Sequence, residues 1–158
     1  MATQLNISYG SKVNVGITLA GLADGNWRQS AAVDNSGNKY LDALVGGKIK
    51  TGSGSGAGDY VDAYVSGSID GGTTFGGDCS GSDSAYAGED KNLTFLKRIH
   101  TEAAETTFEF GPWSIAAAFG GVLPRHWVLV FDNESDSTLD STPANHEVHY
   151  QGIMQQAS

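Results

Sequence analysis

Residues 127–131, Trp-Val-Leu-Val-Phe, restrict the fold of this chain more than any other stretch. Five large apolar or β-branched side chains in succession leave no face for water. The run is also too short for a buried helix of ordinary length. It reads as a strand covered on both faces, the central strand of a sandwich, stopped by Asp132 and Asn133. After Pro143 the pattern becomes strict alternation. His146, Val148, Tyr150 and Met154 point one way; Glu147, His149, Gln151 and Gln155 point the other. A period of two marks a half-buried strand.

The same period recurs upstream. In residues 12–19 it places Val13, Val15, Ile17 and Leu19 on one face, and in residues 60–70 it turns Val61, Ala63, Val65 and Ile69 inward. Shorter candidates lie at residues 3–9, 27–33, 92–101 and 106–110, the last with Phe108 and Phe110 inward and ended by Gly111-Pro112. Residues 39–50 form a strand with a bulge at Gly46-Gly47, a short helix over 40–45 being the competing reading. The alanines of 114–119 give at most a helical turn, closed by Gly120-Gly121. Glycine is 22 of 158 residues, about twice the usual share, and it clusters with Ser, Asp and Thr between these segments. The expectation is an all-β fold spanning 1–158 as one domain: a β-sandwich of about eight strands, jelly-roll or Greek-key in topology, with a barrel second. Two Gly/Ser-rich segments, 51–58 and 70–90, read as flexible connections.

Charge and cysteine content narrow the function. A formal charge of −9 repels phosphate backbones, so direct nucleic-acid binding is not expected. The single cysteine, Cys79, sits beside Asp78 in a glycine-rich loop and reads as a passive thiol. The first residues lack a basic patch followed by an apolar core, which argues for synthesis without a secretory signal. No run is long and apolar enough to span a membrane.

The sequence offers only fragments of catalytic and cofactor patterns. The Gly-Ser-Gly-Ser-Gly of residues 52–56 has the letters of a nucleophile elbow without its strand–turn–helix context. The glycine-rich 51–58 segment also lacks the Gly-Lys-Ser/Thr ending of a phosphate loop. Asp70, Asp78, Asp83, Glu89 and Asp90 invite a calcium reading, but their spacing fits neither an EF-hand nor a nonapeptide repeat. His146 and His149 are three apart, which puts them on opposite faces of a strand; with His100 and His126 they read as surface or interface histidines. The expectation is a protein without catalytic residues, metal or cofactor. Two groups remain as contact residues. Trp27, Tyr64 and Trp113 are candidates for stacking on a glycan or a partner, and Lys91, Lys97, Arg98 and His100 form the one basic cluster, a candidate dock for a neighbouring subunit.

The last third carries a resemblance. Residues 119–135, Phe-Gly-Gly-Val-Leu-Pro-Arg-His-Trp-Val-Leu-Val-Phe-Asp-Asn-Glu-Ser, precede residues 145–152, Asn-His-Glu-Val-His-Tyr-Gln-Gly. Together they resemble the C-terminal part of small virion structural proteins of tailed bacteriophages. There a Leu-Pro-x-x-Trp precedes an apolar strand ending in Asn, and a last strand with His and Tyr leads to Gly. Residues 67–75 and 85–89 fit the same resemblance less specifically, and Asp136 stands where a Gly is expected. The resemblance implies a capsid decoration or cement protein, a homo-oligomer with a trimer favoured. Its partner would be the major capsid protein or another virion protein, at the surface of a capsid assembled in the host cytoplasm. The alternative is a tail, adaptor or fibre component, or a glycan-binding β-sandwich module.

Overall fold

The apolar run lies inside a nine-residue strand whose residues 127–133 are all buried, and alternate side chains of that strand enter two different cores. The computed structural model of the chain describes residues 5–88 and 92–157. In chain order its elements are β1 (Leu5–Asn14), β2 (Trp27–Gln29), β3 (Val33–Asp34), β4 (Asp42–Lys50), β5 (Tyr60–Ser68), β6 (Ser84–Tyr86), β7 (Thr94–His100), β8 (Thr107–Ser114), the single-turn helix α1 (Ile115–Ala118), β9 (His126–Glu134) and β10 (Glu147–Ala157). The described residues thus hold ten strands rather than about eight; the two short pieces β2 and β3 replace one strand expected over 27–33. They form two antiparallel sheets, ordered β1-β10-β4-β8 and β6-β2-β9-β5-β7, with β3 also on β9. The fold is all-β and sandwich-like, as its alternating strands require.

Trp127, Leu129 and Phe131 project between the sheets, where they join Val45, Ile49, Val61, Val65, Ile115 and Tyr150. Trp127 meets the Tyr150 ring edge-on, with centroids 5.4 Å apart. Val128 and Val130 project to the opposite face, into a smaller core with Phe75, Cys79 and Tyr86. That second core is built by the segment expected to be an unstructured loop. Residues 70–88 hold a 3₁₀ turn at Gly76–Asp78 and the strand β6, and Tyr86 donates its hydroxyl to the Gly77 carbonyl. Thr18 and Arg28 clamp this cover through Asp83, at 2.7 Å in each case to a carboxylate oxygen. Glu89 and Asp90 lie outside the described residues.

Several boundaries differ from the sequence reading, each for a local reason. β9 does not stop at Asp132-Asn133: it runs to Glu134, because the buried Asn133 amide donates to the carbonyls of Leu22 and Ser137. β1 ends at Asn14, so residues 12–19 are not one strand. Val15 and Leu19 are still buried, filling the space between the sheets where the chain crosses from one to the other. Ile69 was expected inward and is 96% exposed. β5 ends one residue earlier, at Ser68, whose hydroxyl donates to Asp70 while the Asp70 carboxylate accepts the Thr73 and Thr74 amides, turning the chain outward.

Gly111-Pro112 does not end β8, which continues to Ser114. Proline is tolerated there because β8 is the edge of its sheet. Gly111 has φ +90°, and a Cβ on it would lie 2.6 Å from Gly46 Cα, so the bulge between Val45 and Gly47 needs both glycines. Ser114 caps α1 by accepting from the Ala117 amide, and Gly120 and Gly121 close it with positive φ. The 51–58 segment is held at several points: Thr51 and Ser55 are buried, Thr51 donates to the Ala103 carbonyl, and the Gly56 amide donates to Asp59.

Candidate functional site

The two expected contact groups are only partly assembled by the fold. Trp27 on β2 and Tyr64 on β5 meet on the outer face of the larger sheet, stacked with centroids 5.2 Å apart. Phe95 on β7 continues the row, edge-on to Tyr64 at 5.5 Å. Trp27 and Tyr64 are both half-buried, and they spend ring faces on each other. Trp113 stands apart on β8, stacked on Phe110 at 4.8 Å. It lines an apolar groove of about 370 Å³ with Phe95, Leu96, Lys97 and Pro112, between the free edges of the two sheets. Sequence spacing alone did not reveal Phe95 as the residue bridging these aromatics; it is 52% exposed.

The basic cluster is divided. Arg98 is committed within the chain: its guanidinium makes two 2.7 Å bonds to the nearly buried Asp62 carboxylate and lies 3.4 Å over the Tyr60 ring. The Asp62 carboxylate holds the Arg98 guanidinium charged even more firmly than usual. Lys97 is exposed on the groove side, and His100 is exposed beside Glu102 at 3.8 Å. Lys91 lies outside the described residues. Of the four, then, Arg98 works as an internal strut rather than as an open dock.

The outer face of the smaller sheet bears a shallow groove of about 580 Å³ over Gly46, Gly47 and Gly111. Lys12, Lys48, Glu109, Glu147, His149 and Gln151 surround it. Lys12 pairs with Glu147 and holds that carboxyl below its usual range. His149 Nδ1 lies 3.6 Å from the same carboxylate. The charges of the groove are thereby largely balanced by one another, and what it offers is hydrogen-bonding capacity rather than a charged seat. Cys79 is buried, and burial followed by the Asp78 charge pushes its thiol up to about 11, so it is a poor nucleophile at neutral pH. Among the described residues no three His, Cys, Asp or Glu side chains converge as metal ligands would. His146 is held neutral by burial, its ring accepting from the Lys50 amide at 3.5 Å and bonded to the Asp140 carbonyl at 2.7 Å.

The most unusual surface was not singled out by the sequence. β1 pairs along β10 from Leu5↔Ala157 to Asn14↔His149, whereas β4 joins β10 only as far as Ile153↔Asp42. Residues 5–8 and 154–157 therefore form a two-stranded ribbon running past the third strand. The register aligns Leu5, Ile7 and Tyr9 on one face, and they are 66%, 69% and 59% exposed. Residues 5–11 and 153–157 contain no charged side chain, in a protein of formal charge −9. The signal was present in the sequence as alternating apolar residues; their exposure depends on where β4 ends. No helix among the described residues is long and apolar enough to cross a membrane. No protein-family model matches the chain, and no curated protein and no solved structure matches it.

Proposed function

We propose that this chain is a structural subunit of a virus particle, a capsid decoration protein of a tailed bacteriophage that binds the assembled shell and stabilises it. The observation that carries the reading is the uncharged, apolar ribbon of β1 and the end of β10, a surface suited to protein contact rather than to chemistry. The likeness of residues 119–135 and 145–152 to small virion proteins supplies the setting. The mechanism is mass action: many copies that bind the closed lattice and not its dispersed subunits shift the equilibrium toward the lattice. The major capsid protein is the partner, and the chain itself forms homo-oligomers. A tail or adaptor role with glycan stacking has less support, because Trp27 and Tyr64 occupy each other's ring faces and Trp113 lies away from them.

Immunogold labelling of particles from a lysate containing this chain tests the reading. Even label over the heads is the expected result, with particles lacking the protein bursting at lower temperature. Label confined to the tail would overturn decoration in favour of the adaptor role. Absence of label from every particle would reject both.

A further inference from the structure

We propose that the free edge of β1 pairs antiparallel with β1 of a second copy across a two-fold axis at Ile7. This would join the two four-stranded sheets into one sheet of eight strands, in the order β8-β4-β10-β1-β1-β10-β4-β8. The inference names the occupant of the ribbon on which the proposed function rests, but it does not depend on a capsid being the destination.

Four observations lead there. First, the ribbon has only two strands beyond the Ile153↔Asp42 pair, and two strands alone are marginal in water; a third and fourth strand from another copy complete it. Second, the outer edge of β1 is not blunted. From Leu5 to Tyr9 it has no proline, no charge and no bulge, the usual devices that keep edges apart; the register shift of β1 falls beyond this stretch, between Tyr9 and Lys12. Third, the edge is self-complementary. Opposite residues of an antiparallel pair share a face, so Ile7 against Ile7 sets Leu5 against Tyr9 on both sides of the axis. Six exposed apolar side chains then form one continuous strip, and an isologous contact of this kind closes as a dimer.

The fourth observation is electrostatic, and it shows where on the surface a second copy can approach with least repulsion. Each copy has a formal charge of −9, so two copies repel over most of their surfaces. The ribbon is where that repulsion is least, because residues 5–11 and 153–157 are uncharged. At its inner end, Lys12 is already paired with Glu147 of its own chain and adds no net charge to the contact.

Sedimentation of the full chain tests the pairing. At about 100 μM the wild-type protein is expected to be a dimer that dissociates on dilution. Ile7→Asp places two carboxylates opposite each other on the axis and should weaken association about tenfold or more. Circular dichroism of the variant checks that it still folds. Independently, Ile7→Cys should yield a covalent dimer on air oxidation, because directly opposed residues bring their Cα atoms within disulfide range. A wild-type monomer at that concentration overturns the proposal, as does a trimer or a dimer indifferent to Ile7→Asp. A monomer that binds purified shells through the ribbon also overturns it and assigns the ribbon to the shell. A dimer whose antibody labels no particle leaves the pairing standing and removes the capsid reading instead.

Discussion

β9 and β1 are both antiparallel strands rich in apolar residues, and the fold treats them in opposite ways. In β9 residues 127–133 are all buried, with Trp127, Leu129 and Phe131 against the second sheet and Val128 and Val130 under the segment that ends in β6. In β1 not one residue is buried, and Leu5, Ile7 and Tyr9 face solvent. The apolar content of a strand therefore does not decide its burial. What decides it is the number of layers that the rest of the chain lays over it. β9 has a sheet on one side and a cover on the other, whereas the outer half of β1 has a single neighbouring strand. Burial within the chain stabilises the monomer; burial that only a partner can complete stabilises an assembly.

The comparison predicts where substitutions hurt. Phe131→Ala removes a fully buried ring from between the sheets, and urea unfolding should show a loss of about 3–5 kcal/mol, enough to threaten folding. A loss below about 1 kcal/mol would mean that β9 is not the centre of the core. Arg98→Ala comes next. Asp62 faces Asp132 across the β5–β9 pair, and Arg98 is the cation bonded to Asp62. Removing it leaves a nearly buried carboxylate beside another acid, at a cost of about 1–3 kcal/mol. In the double variant with Asp62→Asn the two losses should add to less than their sum, because the penalty belongs to the pair.

A smaller effect is expected at the outer cover of β9. Burial raises the Asp83 carboxyl, but the bonds from Thr18 and Arg28 outweigh it and hold the group below its usual range. A carboxylate whose folded pKa is depressed adds stability above its unfolded pKa, near 3.9, and that stability disappears as pH falls through the lower folded value. Asp83→Asn should therefore cost about 1 kcal/mol at neutral pH and flatten the acid limb of the stability curve. An unchanged acid limb would show that the cover is held by Phe75 and Tyr86 rather than by this clamp. His146 acts at higher pH with the same sign. Burial lowers its folded pKa, so protonation in the unfolded state withdraws stability as pH falls below about 6.5.

Much of the architecture was legible in the sequence, because its signals were local. The unbroken run of 127–131, the alternation of β10, the glycine bulge of β4 and the glycine-closed turn of α1 are all short-range patterns, and all are found where they were expected. The misreadings concern what non-local contacts decide. Ile69 continues the alternation of β5, but a hydroxyl–carboxylate turn at Ser68 and Asp70 diverts the chain before it. The 70–88 segment has the composition of a loop, yet three buried side chains, Phe75, Cys79 and Tyr86, are enough to seat it on Val128 and Val130. The site was less legible than the fold. Arg98 reads as a surface cation until its pairing with Asp62 is seen, and the ribbon depends on how far β4 reaches along β10.

The smallest effect on the monomer is also the sharpest test of the contrast between the two strands. Leu5 is 66% exposed and belongs to the ribbon, so Leu5→Ser removes apolar surface that the monomer leaves mostly in solvent. Measured at high dilution, where association contributes nothing, the variant should unfold within about 0.5 kcal/mol of wild type. As protein concentration rises, the wild-type melting temperature should climb and that of Leu5→Ser should climb less, since mass action stabilises only the chain that associates. A loss above about 1.5 kcal/mol at high dilution would mean that β1 is packed within its own chain as β9 is. In that case the exposed apolar face would be part of the monomer's stability, and the argument that assigns it to a partner would fail at its first step.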